Sequence, residues 1–264
     1  MNPFSTDTVA VSLNSTAYNL AAGTYADTLT FTNRSAGFGQ NRRFLLQVAS
    51  SLVQNGGFET GDFSGWTQTG NQNRQVDNGT ISGITPHTGS YLAVLNHSGS
   101  RGFLSQTLST VSSQTYLISL WFYKPAGRQA GEFNVLWNGT VFLNRVEQMA
   151  AGWTNLQFLV TASNASSVLK IGGRLGHARY GLDDVNVWPM PAPSIRSMAK
   201  TSDRTVRLSW NSLPGVAYLV QYSTNLANPN WQTLSTNTAT GPILTCTNAC
   251  GADPQRFFRV IMIR

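Results

Sequence analysis

The sequence predicts an all-β protein built from β-sandwich domains in series, and three observations carry that prediction. Charged residues make up only 11% of the 264 residues, against 24 glycines and heavy use of Ser, Thr and Asn. Such residues compete with the backbone for its own hydrogen bonds and so favour turns and extended chain over helix interiors. Apolar residues alternate with polar ones over short runs bounded by turn residues, the signature of half-buried strands, and no segment sustains a helical apolar period. No run of ~18 apolar residues is present, so no membrane-spanning helix is expected.

Residues 1–50 read as a few strands. In Tyr25–Asn33, Leu29 and Phe31 alternate with Thr; the chain turns through Arg34–Gly39; Phe44, Leu46 and Val48 then share one face of a returning strand. This stretch resembles the second half of an Ig-like repeat of bacterial surface proteins. Half a sandwich cannot bury its own core, so these strands are expected to pack on a neighbouring domain, pair with another chain, or be poorly ordered.

Residues 51–190 carry a denser strand pattern. Tyr116, Ile118, Leu120 and Phe122 fall on one face of a strand, with Ser119, Trp121 and Tyr123 on the other. Phe133, Val135 and Trp137 alternate with Asn134 and Leu136 before an Asn138-Gly139 hairpin turn. Strands led by Trp153 and by Val168 follow, and Tyr180-Gly181-Leu182-Asp183-Asp184-Val185-Asn186-Val187 closes the region. At its opening stands Leu52-Val53-Gln54-Asn55-Gly56-Gly57-Phe58-Glu59, running on to Trp66. Opening and close together resemble the first and last strands of carbohydrate-binding modules of the family 4/9/22 jelly-roll type, a galactose-binding-like fold. The resemblance implies a structural Ca2+ held by Glu59 and one of Asp183 and Asp184, with backbone carbonyls near Gly57 and in the loop Thr88-Gly89-Ser90 completing its shell. Calcium takes six to eight hard oxygen ligands, which suits that set. The bland alternative is that these carboxylates cap turns or pair with Arg174 or Arg179.

Pro189, Pro191 and Pro193 make a stiff linker. Residues 194–264 then resemble a fibronectin type III-like module, an Ig-like sandwich, on Val206-Arg207-Leu208-Ser209-Trp210, Tyr218–Thr224, Trp231 and Phe257-Phe258-Arg259-Val260. Trp210 and Tyr222 are expected in its core. Cys246 and Cys250 lie close together, either bridged or free.

The net charge of +7 favours anionic partners, but the basic residues are scattered and no nucleic-acid motif appears, so nucleic-acid binding is not expected. Sugar rings stack their C–H faces on aromatics while amides and guanidinium groups read hydroxyls. Trp121 and Tyr123 are the candidate platforms, with Gln106, Asn134 and Arg128 as polar contacts. Arg174-Leu175-Gly176-His177-Ala178-Arg179-Tyr180 is a polar patch whose Arg174 and His177 suit an acidic glycan. Neither His87, His97 nor His177 shows metal-pair spacing or a Ser-His-Asp arrangement.

These readings point to a non-catalytic polysaccharide-binding module within a larger secreted or surface bacterial protein. No signal peptide opens the sequence, as expected for a fragment of an exported protein. Two alternatives stand beside it. One is a polysaccharide-active hydrolase or lyase, with Glu59 and Asp183 as an acid/base pair or the Arg-His-Tyr patch as the proton-abstracting group. The other is a structural or adhesive spacer.

Overall fold

The computed structural model describes residues 11, 20, 23–32, 37–48, 50–71, 73–96, 99–127, 131–143, 150–174, 178–202, 205–249, 253 and 255–263. Every regular element among them is a strand and every strand pairing is antiparallel. No helix among them is long and apolar enough to cross a membrane. The chain divides into two units, Met1–Ser51 and Leu52–Arg264.

In the first unit, β1 (Gly23–Thr32) and β2 (Gly39–Val48) form a hairpin in unbroken register from Gly23↔Val48 to Thr32↔Gly39. Tyr25, Leu29, Phe31, Phe44 and Leu46 share one face by that register. Within this ribbon Leu29 and Phe44 remain 36% and 40% exposed. A two-stranded ribbon has no second layer to cover such a face.

The second unit opens with a jelly-roll sandwich of two five-stranded sheets. The first sheet runs β10 (Gly152–Thr161), β7 (Thr115–Lys124), β12 (Tyr180–Pro189), β5 (Leu92–Leu95), β4 (Arg74–Asp77). The second runs β3 (Thr67–Gly70), β6 (Gly102–Ser109), β11 (Ser166–Arg174), β8 (Glu132–Trp137), β9 (Thr140–Leu143). Strand alternation sends Ile118, Leu120 and Phe122 of β7 inward to meet Phe133 and Val135 of β8 and Ile171 of β11 in one core. The rings of Phe122 and Phe133 sit 4.1 Å apart between the sheets, and Tyr180 stacks on Phe122 from β12 at 5.8 Å.

The opening segment is a chain of turns rather than the expected first strand. Asn55 and Phe58 take left-handed conformations, which break an extended run. The segment still attaches beside β12, through Leu52 N donating to Val187 O at 2.8 Å and Val185 N donating to Gly56 O at 2.9 Å. Position 56 must be glycine, because a Cβ there would lie 2.0 Å from the Val185 carbonyl oxygen. Asn55 then braces the turn from its side chain: its Nδ2 reaches Thr60 Oγ1 at 2.7 Å and the Asp62 and Ser64 carbonyls at 3.0 and 3.1 Å. Phe58 enters the core fully buried and stacks on Trp66.

Beyond residue 190 lies a smaller sandwich of two three-stranded sheets. One is ordered β13 (Ile195–Ser202), β14 (Thr205–Asn211), β17 (Ile243–Ala249); the other β16 (Gln232–Thr238), β15 (Ala217–Ser223), β18 (Phe257–Ile263). Trp210 and Tyr218 are its largest buried side chains, edge to face at 6.0 Å, and the Tyr218 hydroxyl accepts the Leu213 amide at 2.8 Å. Tyr222 is half-buried at the end of β15, with the Arg256 guanidinium 4.0 Å over its ring. Cys246 is a free, half-buried thiol receiving the Asn248 amide, while Cys250 lies outside the described residues.

Phe122→Ala should destabilise the jelly roll by about 3–5 kcal/mol, since it removes a fully buried ring in contact with both sheets. Urea unfolding followed by tryptophan fluorescence measures that loss; a change under about 1 kcal/mol would mean the sheets are not packed in this way.

Candidate functional site

The three acidic side chains singled out in the sequence all come near Gly57. A Cβ built on Gly57 would lie 3.7 Å from Glu59 Cγ and 3.8 Å from the Oδ1 atoms of both Asp183 and Asp184. Neighbours along a strand ordinarily point to opposite faces. Here β12 slips register against β7 between Asp183 and Asn186, and Asp184 sits at a φ of 48°, so the bulge turns both carboxylates toward Gly57.

Each carboxylate also holds the loop that joins β4 to β5. Glu59 Oε1 accepts the amides of Ser90 and Tyr91, both at 3.0 Å. Asp183 Oδ2 accepts the His87 amide at 2.8 Å, and its Oδ1 accepts the Asp184 amide at 2.8 Å. Asp184 takes Thr88 Oγ1 at 2.6 Å and lies 2.7 Å from His87 Nδ1. Asp183 is fully buried, and burial together with the neighbouring Asp184 carboxylate pushes its pKa up to about 7. A buried acid beside a second one is unfavourably charged unless a cation or proton arrives.

The Oδ1 atoms of Asp183 and Asp184 both stand on the side of Gly57 that a Cβ would occupy. Among the described residues no three Asp, Glu, His or Cys side chains are grouped to hold a metal by themselves. An ion here would therefore draw part of its shell from the backbone.

The same loop covers the expected sugar platform. His87 stacks on Trp121 with ring centres 3.7 Å apart, and Trp153 donates from Nε1 to the Thr85 carbonyl at 3.1 Å. Tyr123 meets Trp153 edge to face at 5.4 Å, and both pack against Ile84, Leu92 and Val94. Trp121 and Tyr123 do lie on the outer face of the first sheet, but they are half-buried anchors for a loop.

The remaining expected contacts are dispersed. Gln106 is 7% exposed, with Oε1 accepting the Gln54 amide and Nε2 donating to the Gln54 carbonyl. It ties the opening turns to β6 and has no end free for a ligand, which corrects its reading as a sugar contact. Asn134 and Arg174 belong to the opposite sheet from Trp121 and Tyr123. Arg128 and His177 lie outside the described residues, as does His97.

A second group of residues gathers around Asn134 and Arg174. With Leu104, Phe133, Val135, Leu169 and Ile171 facing the core, alternation and register put Phe103, Asn134, Lys170 and Arg174 on the outer face of the second sheet. Lys170 Nζ stands 4.3 Å over the Phe103 ring. Arg101 Nε binds Glu132 Oε2 at 2.8 Å, and Asn134 donates to Glu132 Oε1 at 3.0 Å. Gly172 lies between them in register, and Gly173, next along β11, falls on the inner face; both are buried. A Cβ on Gly172 would strike Gly102 O at 2.1 Å and one on Gly173 would strike Glu132 O at 1.9 Å. The sheet therefore requires bare backbone there. A small cavity of about 270 Å³ opens at one end, lined by Gly99, Ser100, Arg101, Glu132 and Arg174. Sequence reading missed Phe103, Lys170, Arg101 and Glu132; the glycine pair inside a strand was the available signal.

No family model matches the chain, and no curated protein matches it. Solved structures similar to the chain include several carbohydrate-binding modules, and also an enzymatically active tailspike domain and a β-1,2-glucanase. A family 61 module in complex with β-1,4-galactotriose is 20% identical, with a TM-score of 0.43 over 54% of this chain and 100% of that one. The CBM22-1 xylan-binding domain of Paenibacillus barcinonensis Xyn10C is 18% identical, with a TM-score of 0.40 over 56% and 99%. A family 16 module is 17% identical, with a TM-score of 0.40 over 52% and 98%. At these identities and scores the likeness assigns no ligand.

The raised Asp183 pKa sets a sign for the pH response of the metal-free protein. The folded state keeps the proton longer than the unfolded chain, so this contribution to stability is present below about 4 and is lost as pH rises through about 7. Unfolding in EDTA across that window should show stability falling for the wild type, and Asp183→Asn should flatten the slope. An identical slope in both proteins would mean that Asp183 is not protonated in the fold.

Proposed function

We propose that the jelly roll is a non-catalytic polysaccharide-binding module, with its glycan site on the outer face of the second sheet. One observation carries the reading: the Phe103 ring and the Lys170 and Arg174 cations lie on one sheet face beside the single carboxylate of Glu132. A pyranose needs such a setting, a flat surface for its C–H face with polar groups in reach of its hydroxyls. The other outer face has its aromatics tied beneath the His87 loop.

The carboxylate cluster acts as a brace in this reading. Glu59, Asp183 and Asp184 would hold Ca2+ with carbonyls of Gly57 and Ser90. The ion would supply the positive charge that offsets two adjacent carboxylates and fixes the opening turns, the bulge and the loop in one geometry. An acid/base role for Glu59 and Asp183 is disfavoured. Asp183 is fully buried and Glu59 accepts two backbone amides, an arrangement that suits holding a loop better than transferring a proton to a sugar.

The C-terminal sandwich is proposed to be a fibronectin type III-like spacer and the first unit a partial Ig-like segment, in a secreted or surface bacterial protein with further domains. The three boundaries proposed are 1–50, 51–190 and 194–264.

Affinity electrophoresis through gels of neutral and acidic polysaccharides tests the glycan site. Retardation in at least one gel is expected, and Phe103→Ala should abolish it. Trp121→Ala should keep binding and lower the melting temperature instead. Free migration in every gel would favour the spacer reading. EDTA should lower the melting temperature and added Ca2+ restore it, since an ion at ~100-fold over its dissociation constant stabilises by about 2.7 kcal/mol. An unchanged melting temperature would remove the calcium proposal.

A further inference from the structure

We infer that the outer face of the second sheet selects a glycan bearing carboxylate groups, with Arg174 as the residue that receives the charge. This rests on the glycan-binding reading above and adds the substrate class. The charges of that face are unbalanced: Arg101, Lys170 and Arg174 stand against the single carboxylate of Glu132. In a chain with only 11% charged residues, three cations on one sheet face form a local concentration.

Their partners distinguish them. Glu132 is satisfied from both sides, by Arg101 at 2.8 Å and the Asn134 amide at 3.0 Å, and those hydrogen bonds hold its carboxyl below the usual range. Arg101 is thus spent on an internal pair. Lys170 lies over the Phe103 ring, which steers its ammonium across the sugar-stacking surface. Arg174 lies opposite Glu132 in backbone register, its charge helps to lower the pKa of that carboxyl, and it is exposed at the end of β11. Among the described residues its guanidinium has no hydrogen bond or ion pair. It also lines the cavity beside Ser100 and Glu132.

A planar guanidinium with parallel N–H donors matches a carboxylate in a two-pronged bond, which a neutral hydroxyl cannot reproduce. A uronic acid residue on this face would meet Arg174 with its carboxylate and Phe103 with its C–H face. Lys170 would then lower the potential for a second acidic residue along the chain.

The experiment uses the full chain with three polyuronates, namely polygalacturonate, alginate and a glucuronate-substituted xylan, beside the carboxyl-reduced form of each. Affinity electrophoresis and titration calorimetry are run at physiological salt. At least one polyuronate should bind, and its carboxyl-reduced form should bind roughly tenfold or more weakly, the size expected for one charge-assisted pair. Arg174→Gln should lose the same factor without a change in melting temperature, and Arg174→Lys should recover part of it. Arg42→Gln, a basic residue of the first unit, should bind as the wild type does. Equal binding of the reduced and acidic polymers, lost on Phe103→Ala, would overturn the acidic preference and leave the glycan site standing. Loss of binding with Arg42→Gln as great as with Arg174→Gln would reduce the effect to diffuse polyelectrolyte attraction and overturn it too. Binding to no polymer, acidic or neutral, would sink both readings.

Discussion

The architecture depends on the seam where the opening turns meet the last jelly-roll strand. Backbone bonds at Leu52–Val187 and Val185–Gly56 attach the segment, and only a glycine at 56 allows the approach. That contact sets Gly57 against the Asp183–Asp184 bulge, and the three carboxylates assembled there hold the loop carrying His87, Thr88, Ser90 and Tyr91. Through His87 the same loop covers Trp121. A local backbone constraint therefore decides that the outer face of the first sheet is covered at Trp121.

The seam was legible in the sequence because each of its residues answers a local demand. Asn55 supplies a left-handed turn with a side chain that braces it; Gly56 yields to a carbonyl; Phe58 enters the core; Glu59 accepts amides. The strand faces were legible for a similar reason, since alternation places Ile118 and Phe122 in and Trp121 and Tyr123 out. Alternation also placed Asn134 on an outer face.

Other features were not readable in that way. Alternation states which side of a sheet a residue occupies and is silent about what covers that side. The covering loop between β4 and β5 has no periodic pattern, so its claim on Trp121 and Tyr123 was invisible. Gln106 shows the opposite case: Leu104 and Leu108 flank it at strand spacing, and both are buried, so the inward position was readable and its polarity misled. The extended first strand failed because two left-handed residues interrupt a motif that otherwise reads as continuous. Cross-strand groupings such as Arg101 with Glu132 and Arg174 depend on register between strands distant in sequence, which no single sequence exposes.

The most direct measurement of the seam is native-state hydrogen exchange, read residue by residue. The amides of Leu52, Val185, Ser90 and Tyr91 should exchange only with an opening free energy within about 1 kcal/mol of global unfolding, because the seam and its loop are part of the cooperative sandwich. Exchange of these four amides at the rates of exposed loop residues, while β7 and β12 stay protected, would contradict the account.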